Sequence, residues 1–230
     1  MGLLQSIRGD IQAARQRDPA ATSGLEVIVT YPGFHARQIH RLAHTLHNAA
    51  LRLPARFISH IGRAATGIEI HPGARIGEGL FIDHGMGVVI GETAVIGDNC
   101  HLFQGVTLGG TSTRRAKRHP TLGNNVVVGA GAKVIGAVNV GDNAKIGAGA
   151  VVLRDVPDNC TATGVPAKVV AFRDPLNGTT RRENLPDPEG EMIAALHHKI
   201  LELEERIAAL EGRPLHGGDG SPAPLAAART

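Results

Sequence analysis

The sequence is poor in residues that mark several classes of protein. Its 230 residues include two cysteines, no tryptophan and one tyrosine, and aromatic residues make up 3% of the chain. Cys100 and Cys160 form neither a disulfide framework nor a zinc-binding pattern, which favours a reducing compartment, the cytoplasm. The formal net charge is only +3. Because so few aromatic side chains are available to stack on bases, we expect no binding of nucleic acid.

Long hydrophobic runs are also missing. No apolar stretch reaches transmembrane length, and residues 1–19 contain no apolar core long enough for a signal peptide. With 42% hydrophobic and 20% charged residues, the composition is that of a globular protein. We therefore expect a soluble protein that does not associate with membranes.

Glycine, in contrast, is abundant: there are 30 glycines, and twenty of them lie between Gly62 and Gly164. In that stretch aliphatic residues recur every six positions. Six residues advance a helix by about 240°, so no helical face would collect these side chains. A period of six suits short strands joined by tight turns, with three hexapeptides in each triangular turn of a parallel β-helix. The three runs are Ile70, Ile76, Ile82 and Val88; Ile90, Ile96, Leu102 and Leu108; and Val128, Val134, Val140, Ile146 and Val152.

The register of six breaks twice. It slips by two positions between Val88 and Ile90, and it jumps by twenty positions between Leu108 and Val128. The second break contains a polar, glycine-rich and basic segment, residues 109–125. We predict a loop ejected from the coil there, which is where solenoid proteins commonly carry function.

Segments of other character flank the coil, which we place at residues 66–172. Helical spacing of apolar residues predicts an α-helical region over residues 1–65. A proline-rich stretch indicates a linker over residues 173–190. A seam of apolar residues spaced three and four apart predicts a heptad helix over 191–212. The tail, 213–230, is rich in Gly, Pro and Ala and is predicted to be disordered.

Among the histidines of the coil, His84 stands out by its context. It follows Asp83 at the first register break, where a side chain can face a cleft rather than the interior of the coil. Glu69 precedes it by fifteen residues, three fewer than one triangular turn, so the spacing allows contact between the two side chains. Most histidines are solvated or structural, so the spacing alone leaves a structural role open.

Motifs spread over residues 8–170 carry a resemblance to a known family. They are RDPA at 17–20, DHGMG at 83–87, GGT at 109–111 and RHP at 118–120. With these motifs the sequence resembles serine O-acetyltransferase of the hexapeptide-repeat acyltransferase superfamily. The resemblance implies a left-handed parallel β-helix. It also implies transfer of acetyl from acetyl-CoA to the hydroxyl of L-serine, which gives O-acetylserine for cysteine biosynthesis.

The resemblance implies catalytic roles for three residues. His84 matches the general base that removes the proton from the serine hydroxyl, a task suited to a neutral imidazole. Glu69 matches the acid that orients this base, at a position where longer members of the family commonly have Asp. His119 matches a second histidine of the active site.

Binding residues are implied in the same way. Asp18 and Asp83 match acidic residues near the substrate ammonium, and Arg118 matches the residue that holds the substrate carboxylate, for which a planar guanidinium is well shaped. Acetyl-CoA is the implied co-substrate, and no metal is implied. The positions that match the lining of the acetyl-CoA groove are Gly110, Thr111, Ala130, Lys145 and Ala148.

The resemblance further implies a homotrimer with active sites between subunits. The predicted helical region is shorter than the one that joins two trimers in longer members, which favours a trimer over a hexamer. Those members also dock on cysteine synthase through a terminal Ile. This chain ends LAAART, which argues against docking by that route.

Two other functions remain open from the sequence. One is an O-acetyltransferase for another hydroxyl acceptor, a sugar or homoserine; RDPA and RHP favour an amino acid instead. The other is a β-helix scaffold without catalysis, for which His84 and Glu69 would be unnecessary. A metal-dependent β-helix enzyme would need three convergent histidines, and the coil has no H-x-x-x-x-H pair.

Overall fold

Four helices precede a coil of short strands in the computed structural model, which describes residues 2–174, 178–182, 196–204 and 206–207. Ser23 caps the second helix by accepting a hydrogen bond from the Glu26 amide, and Pro32 opens the third, where its missing N–H costs nothing. The fourth ends at Gly67, whose φ of +71° is the left-handed conformation that glycine adopts readily. The helices are α1 (Leu3–Arg17), α2 (Gly24–Thr30), α3 (Pro32–Asn48) and α4 (Arg52–Thr66).

The coil is a left-handed parallel β-helix, as predicted. Most of its strands are two or three residues long and contribute a buried aliphatic or alanine side chain to the interior. The strands are β1 (Glu69–Ile70), β2 (Arg75–Ile76), β3 (Phe81–Ile82), β4 (Val89–Ile90), β5 (Val95–Ile96), β6 (His101–Leu102), β7 (Thr107–Gly109), β8 (Thr121–Leu122), β9 (Val127–Val128), β10 (Lys133–Ile135), β11 (Asn139–Val140), β12 (Lys145–Ile146), β13 (Val151–Val152), β14 (Cys160–Thr163), β15 (Lys168–Arg173) and β16 (Thr180–Arg182).

Three sheets form the sides of the coil. Sheet 1 contains β1, β4, β7, β10 and β13; sheet 2 contains β2, β5, β8 and β11; sheet 3 contains β3, β6, β9, β12 and β14, extended by the antiparallel β15 and β16. The last strand lies within residues 173–190, so the sheet continues into the segment for which the sequence predicts a linker. The thirteen aliphatic positions of the hexapeptide pattern all belong to the core or pack against it.

Both register breaks are visible as longer turns of the coil. The first turn, from Glu69 to Val89, takes 20 residues, and the turn from Val89 to Thr107 takes the regular 18. The next turn, from Thr107 to Lys133, takes 26 because it carries the ejected loop. This loop is shorter than the predicted 109–125. Thr121 and Leu122 already form β8, and Leu122 is buried in the interior.

The helical region is fixed to the coil beside the first register break. Gly33 in α3 lies so close to β3 that an added Cβ would be 2.9 Å from Ile82 Cβ. At the end of α1, Arg17 Nη1 donates hydrogen bonds to the carbonyl oxygens of Gly79 at 3.0 Å and Cys100 at 3.1 Å. The chain segments that carry Asp18 and Asp83 are thereby held against each other.

A second compact unit spans Asn184–Thr230. Its described residues, 196–204 and 206–207, are helical and exposed, within the range of the predicted heptad helix. The predicted tail, 213–230, lies outside the described residues. In the part of the chain that the structure covers, no helix is both long enough and apolar enough to cross a membrane.

Candidate active site

His84 lies in the turn that the first register break creates. The turn joins β3 of sheet 3 to β4 of sheet 1, and it adopts left-handed backbone at His84 (φ +57°) and at Gly85 and Gly87 (φ +76° each). A positive φ is uncommon for a residue with a side chain, and such conformations cluster at functional sites. The imidazole is directed outward, with 74% of the side chain exposed. It is therefore free to accept a proton from a bound molecule.

Two carboxylates share the neighbourhood of His84. Asp83 Oδ1 lies 3.8 Å from His84 Nε2. Asp18 accepts hydrogen bonds from the Tyr31 hydroxyl at 2.5 Å and the Ala20 amide at 2.8 Å. These two bonds are the main cause that lowers the pKa of Asp18, and the nearby His84 imidazole lowers it further. The hydrogen bond between the Tyr31 hydroxyl and Asp18 raises the pKa of Tyr31 to about 12. Asp18 is therefore a well-held anion on the His84 side of the coil.

Glu69, the predicted orienting acid, is at the start of sheet 1. Its Oε2 lies 3.3 Å from Arg63 Nη1 of α4. Among the described side chains, the carboxylate paired with His84 is that of Asp83 rather than that of Glu69. The role of Glu69 toward His84 thus stays a prediction, and in this structure its charge is balanced by Arg63.

Arg118 and His119 lie at a different corner of the coil, where sheet 1 leads into sheet 2. The Thr93 hydroxyl accepts hydrogen bonds from the Arg118 amide at 3.0 Å and the His119 amide at 3.1 Å, which fixes the end of the ejected loop. Arg118 Nη2 forms an ion pair with Glu92 Oε2. This pair lowers the pKa of Glu92 and leaves the rest of the guanidinium able to bind another anion.

His119 is buried and neutral in character. Its Nδ1 accepts a hydrogen bond from the Thr93 amide at 3.2 Å, so the proton of the neutral ring belongs on Nε2. Burial and the charge of Arg118 lower the pKa of His119. Its Nε2 lies 3.1 Å from the position of a Cβ added at Gly110, so this nitrogen is close to the base of the ejected loop. The group can donate a hydrogen bond to an oxygen bound there.

The predicted acetyl-CoA positions fall into separate places. Ala130 and Ala148 lie in successive turns at the same corner as His84; the Gly131 amide donates to Gln104 O and the Gly149 amide to Ala130 O, both at 2.8 Å. Nothing lies within 4 Å of a Cβ added at Gly131 or Gly149, so this corner is open at these two turns.

The remaining cofactor positions lie elsewhere. Gly110 and Thr111 are at the other corner, beside His119 and Gly136. Lys145 is exposed on sheet 3 and lines a cavity of about 360 Å³ with Arg173.

Within one chain, the predicted residues therefore form two separate groups. Asp18, Asp83 and His84 form one group, and Arg118 and His119 form the other. The sequence did not indicate the residues that hold these groups in place, which are Tyr31, Glu92 and Thr93. For Glu92 and Thr93 a signal was present, since both lie in the GETAV segment directly after DHGMGVVI. Over the described ranges, no cluster of three His, Cys, Asp or Glu side chains could hold a metal ion.

Comparisons with known proteins point to the same family over most of the chain. The family model "Bacterial transferase hexapeptide (six repeats)" matches residues 119–154, and the model "Serine acetyltransferase, N-terminal" matches residues 2–39. The serine acetyltransferase of Synechococcus elongatus is 51% identical over 217 residues, which cover 92% of this chain and 87% of that protein. That of Staphylococcus aureus is 52% identical over 201 residues, which cover 87% of this chain and 94% of that protein.

Solved structures give the same result. The Neisseria gonorrhoeae serine acetyltransferase in complex with serine is 43% identical with a TM-score of 0.71, over 73% of this chain and 69% of that chain. The Brucella abortus serine acetyltransferase in complex with coenzyme A is 45% identical with a TM-score of 0.71, over 73% and 67%. Half of the residues are identical across nearly all of this chain and of its relatives, and the chain belongs to the serine acetyltransferase family.

Proposed function

We propose that this protein transfers the acetyl group of acetyl-CoA to the hydroxyl of L-serine, giving O-acetylserine and CoA. The observation that carries the proposal is the exposed His84 in its left-handed turn, next to the carboxylate of Asp83 and within electrostatic reach of Asp18. A base beside two anions suits an acceptor that carries both a hydroxyl and an ammonium group.

The reaction follows from these groups. Neutral His84 takes the hydroxyl proton while the serine oxygen bonds to the thioester carbon. The oxyanion formed there accepts hydrogen bonds, for which His119 Nε2–H and the amide of Gly110 are the proposed donors. When the intermediate collapses, the C–S bond breaks and the CoA thiolate takes the proton from His84. Glu69 remains the proposed partner that stabilises the imidazolium, for which it has a second carboxylate oxygen besides the one paired with Arg63.

The acceptor is held at both ends in this proposal. Asp18 and Asp83 bind the serine ammonium, and Arg118 binds its carboxylate through the guanidinium edge that Glu92 leaves free. Acetyl-CoA binds along the open corner at Ala130 and Ala148, and the Lys145 ammonium pairs with its phosphates.

A homotrimer would complete such a site. His84 and Arg118 lie at different corners of one coil, so a site that uses both needs the His84 corner of one copy and the His119 corner of the next. The open part of the His84 corner, at Ala130 and Ala148, is the proposed path for acetyl-CoA. Sedimentation velocity should give three chains per particle; a monomer with full activity would contradict this arrangement.

An acceptor panel tests the function. Release of CoA from acetyl-CoA is followed with L-serine, L-homoserine, a galactoside and water, and the acetylated product is identified by mass spectrometry. We expect release above the water rate with L-serine and a product with acetyl on the serine oxygen. Preference for homoserine or the galactoside would keep the fold and His84 but overturn the roles of Asp18, Asp83 and Arg118. No release with any acceptor would leave a β-helix scaffold.

A further inference from the structure

A histidine that the proposed mechanism does not use lies behind Asp83. His101 is on β6, one turn of the coil after Phe81 of β3, with which it pairs. Its ring contacts two aromatic rings, at centroid distances of 4.8 Å from Phe81 and 4.3 Å from Phe103, and the second pair is stacked. Only 13% of the side chain is exposed. The two phenylalanines therefore restrict the orientation of the imidazole.

The ring is turned so that one nitrogen faces Asp83. His101 Nε2 lies 3.7 Å from Asp83 Oδ2, and this nitrogen is buried without a hydrogen-bond partner in the described part of the chain. A buried N–H without a partner is unfavourable, so a small movement that closes the distance to Asp83 is favoured. The other oxygen of the same carboxylate faces His84 Nε2 at 3.8 Å. Asp83 thus lies between two imidazoles, one exposed and one enclosed.

We propose that His101 is a positioning residue for Asp83, to which its Nε2–H donates a hydrogen bond that holds the carboxylate toward the acceptor site. This proposal rests on the proposed function, in which Asp83 binds the serine ammonium. The enclosed imidazole holds the carboxylate without cancelling its charge, whereas a Lys or Arg at this place would neutralise it. The acceptor ammonium then meets a full negative charge with a fixed direction.

The charges around His101 agree with a neutral ring. Burial is the main cause that lowers its pKa, Arg17 lowers it further, and Asp83 opposes both. Arg17 is itself bound to backbone carbonyl oxygens of the coil. The imidazole therefore stays uncharged at neutral pH, when Asp83 is needed as an anion.

Steady-state kinetics of two variants test this role. His101→Phe keeps the aromatic stack but removes the donor, and His101→Gln keeps a donor without the ring. Because hydrogen bonds to charged groups are stronger than neutral ones, we expect His101→Phe to raise the KM for serine about tenfold or more, with the KM for acetyl-CoA unchanged. His101→Gln should recover much of the loss. Phe103→Leu, which alters the same stack without touching Asp83, is the control for packing.

Two results would overturn the proposal while the function stands: a serine KM in His101→Phe within twofold of the wild type, or an equal rise in Phe103→Leu. Failure of the wild type to acetylate serine would instead refute the function. A second measurement does not depend on turnover. In ¹⁵N NMR of the imidazoles, Asp83→Asn should lower the pKa of His101, because the opposing charge is gone. An unchanged titration of His101 would show that the two groups do not interact.

Discussion

Part of the stability at acidic pH should depend on His40, a buried histidine of α3. Both ring nitrogens of His40 are used by the neutral form: Arg37 Nη1 donates to Nδ1 at 3.2 Å, and Nε2–H donates to Ala74 O at 3.2 Å. Protonation of Nδ1 would set an N–H against the guanidinium. Burial, followed by the charge of Arg37, lowers the pKa of His40 to about 3. We therefore predict that α3 is held to the coil less firmly as the pH falls.

The sign and size of this pH effect on the free energy of unfolding follow from the difference in bound protons between the unfolded and folded states. In the unfolded chain a histidine has a pKa near 6.5, so between pH 6.5 and about 3 the unfolded state binds a proton that the folded state does not. The contribution of His40 is complete above pH 6.5 and is lost as the pH falls through this window. At about 1.4 kcal/mol per pH unit, the loss is about 2 kcal/mol at pH 5 and about 5 kcal/mol over the whole window.

Urea unfolding at pH 7.5, 6.0 and 5.0, at one protein concentration, measures this loss. His40→Gln is the comparison, because its amide can accept and donate hydrogen bonds but does not titrate. Asp10 and Glu78, which pair with Arg41 on the same helix, are present in both proteins, so they do not contribute to the difference. The free energy of unfolding should fall by about 2 kcal/mol more in the wild type than in His40→Gln at pH 5. Equal pH slopes in the two proteins would refute the reasoning.

Two further predictions concern packing and the acceptor. Gly33→Ala should destabilise the fold by about 1–3 kcal/mol in thermal unfolding despite the higher helix propensity of Ala, because the new Cβ would overlap Ile82; Gly9→Ala, where nothing lies within 4 Å, should be neutral or stabilising by up to about 1 kcal/mol. A loss in Gly9→Ala equal to that in Gly33→Ala would exclude the steric cause. Arg118→Ala should raise the KM for serine far more than that for acetyl-CoA, and an equal rise in both would remove Arg118 from the acceptor site.

The coil could be predicted from the sequence because its core repeats. A buried aliphatic residue every six positions, with glycine beside it, leaves few other ways to bury the same side chains. The first register break also located the turn of His84, since two extra residues cannot fit a regular corner. Leu122 was not predicted to be buried because polar residues surround it in the sequence. The predicted end of the ejected loop therefore lies a few residues after the observed one.

The site was less predictable than the coil. Its residues were found through motifs, but their grouping depends on which corner of the coil each occupies, and the eight extra residues of the loop shift that alignment. The contacts of Tyr31 with Asp18 and of His101 with Asp83 join residues that are distant along the chain. No local sequence pattern predicts such contacts. Glu69 matches a motif, yet the structure pairs it with Arg63 from a preceding helix.

The most direct test of catalysis by His84 is the rate of serine-dependent CoA release in His84→Ala, measured beside the wild type and His60→Ala. His60 is an exposed histidine of α4 and serves as the matched control. Loss of a general base predicts a fall in kcat of about 10²–10⁴ in His84→Ala, with unchanged circular dichroism and with wild-type rates in His60→Ala. Wild-type turnover in a folded His84→Ala protein would contradict the assignment of His84 as the base.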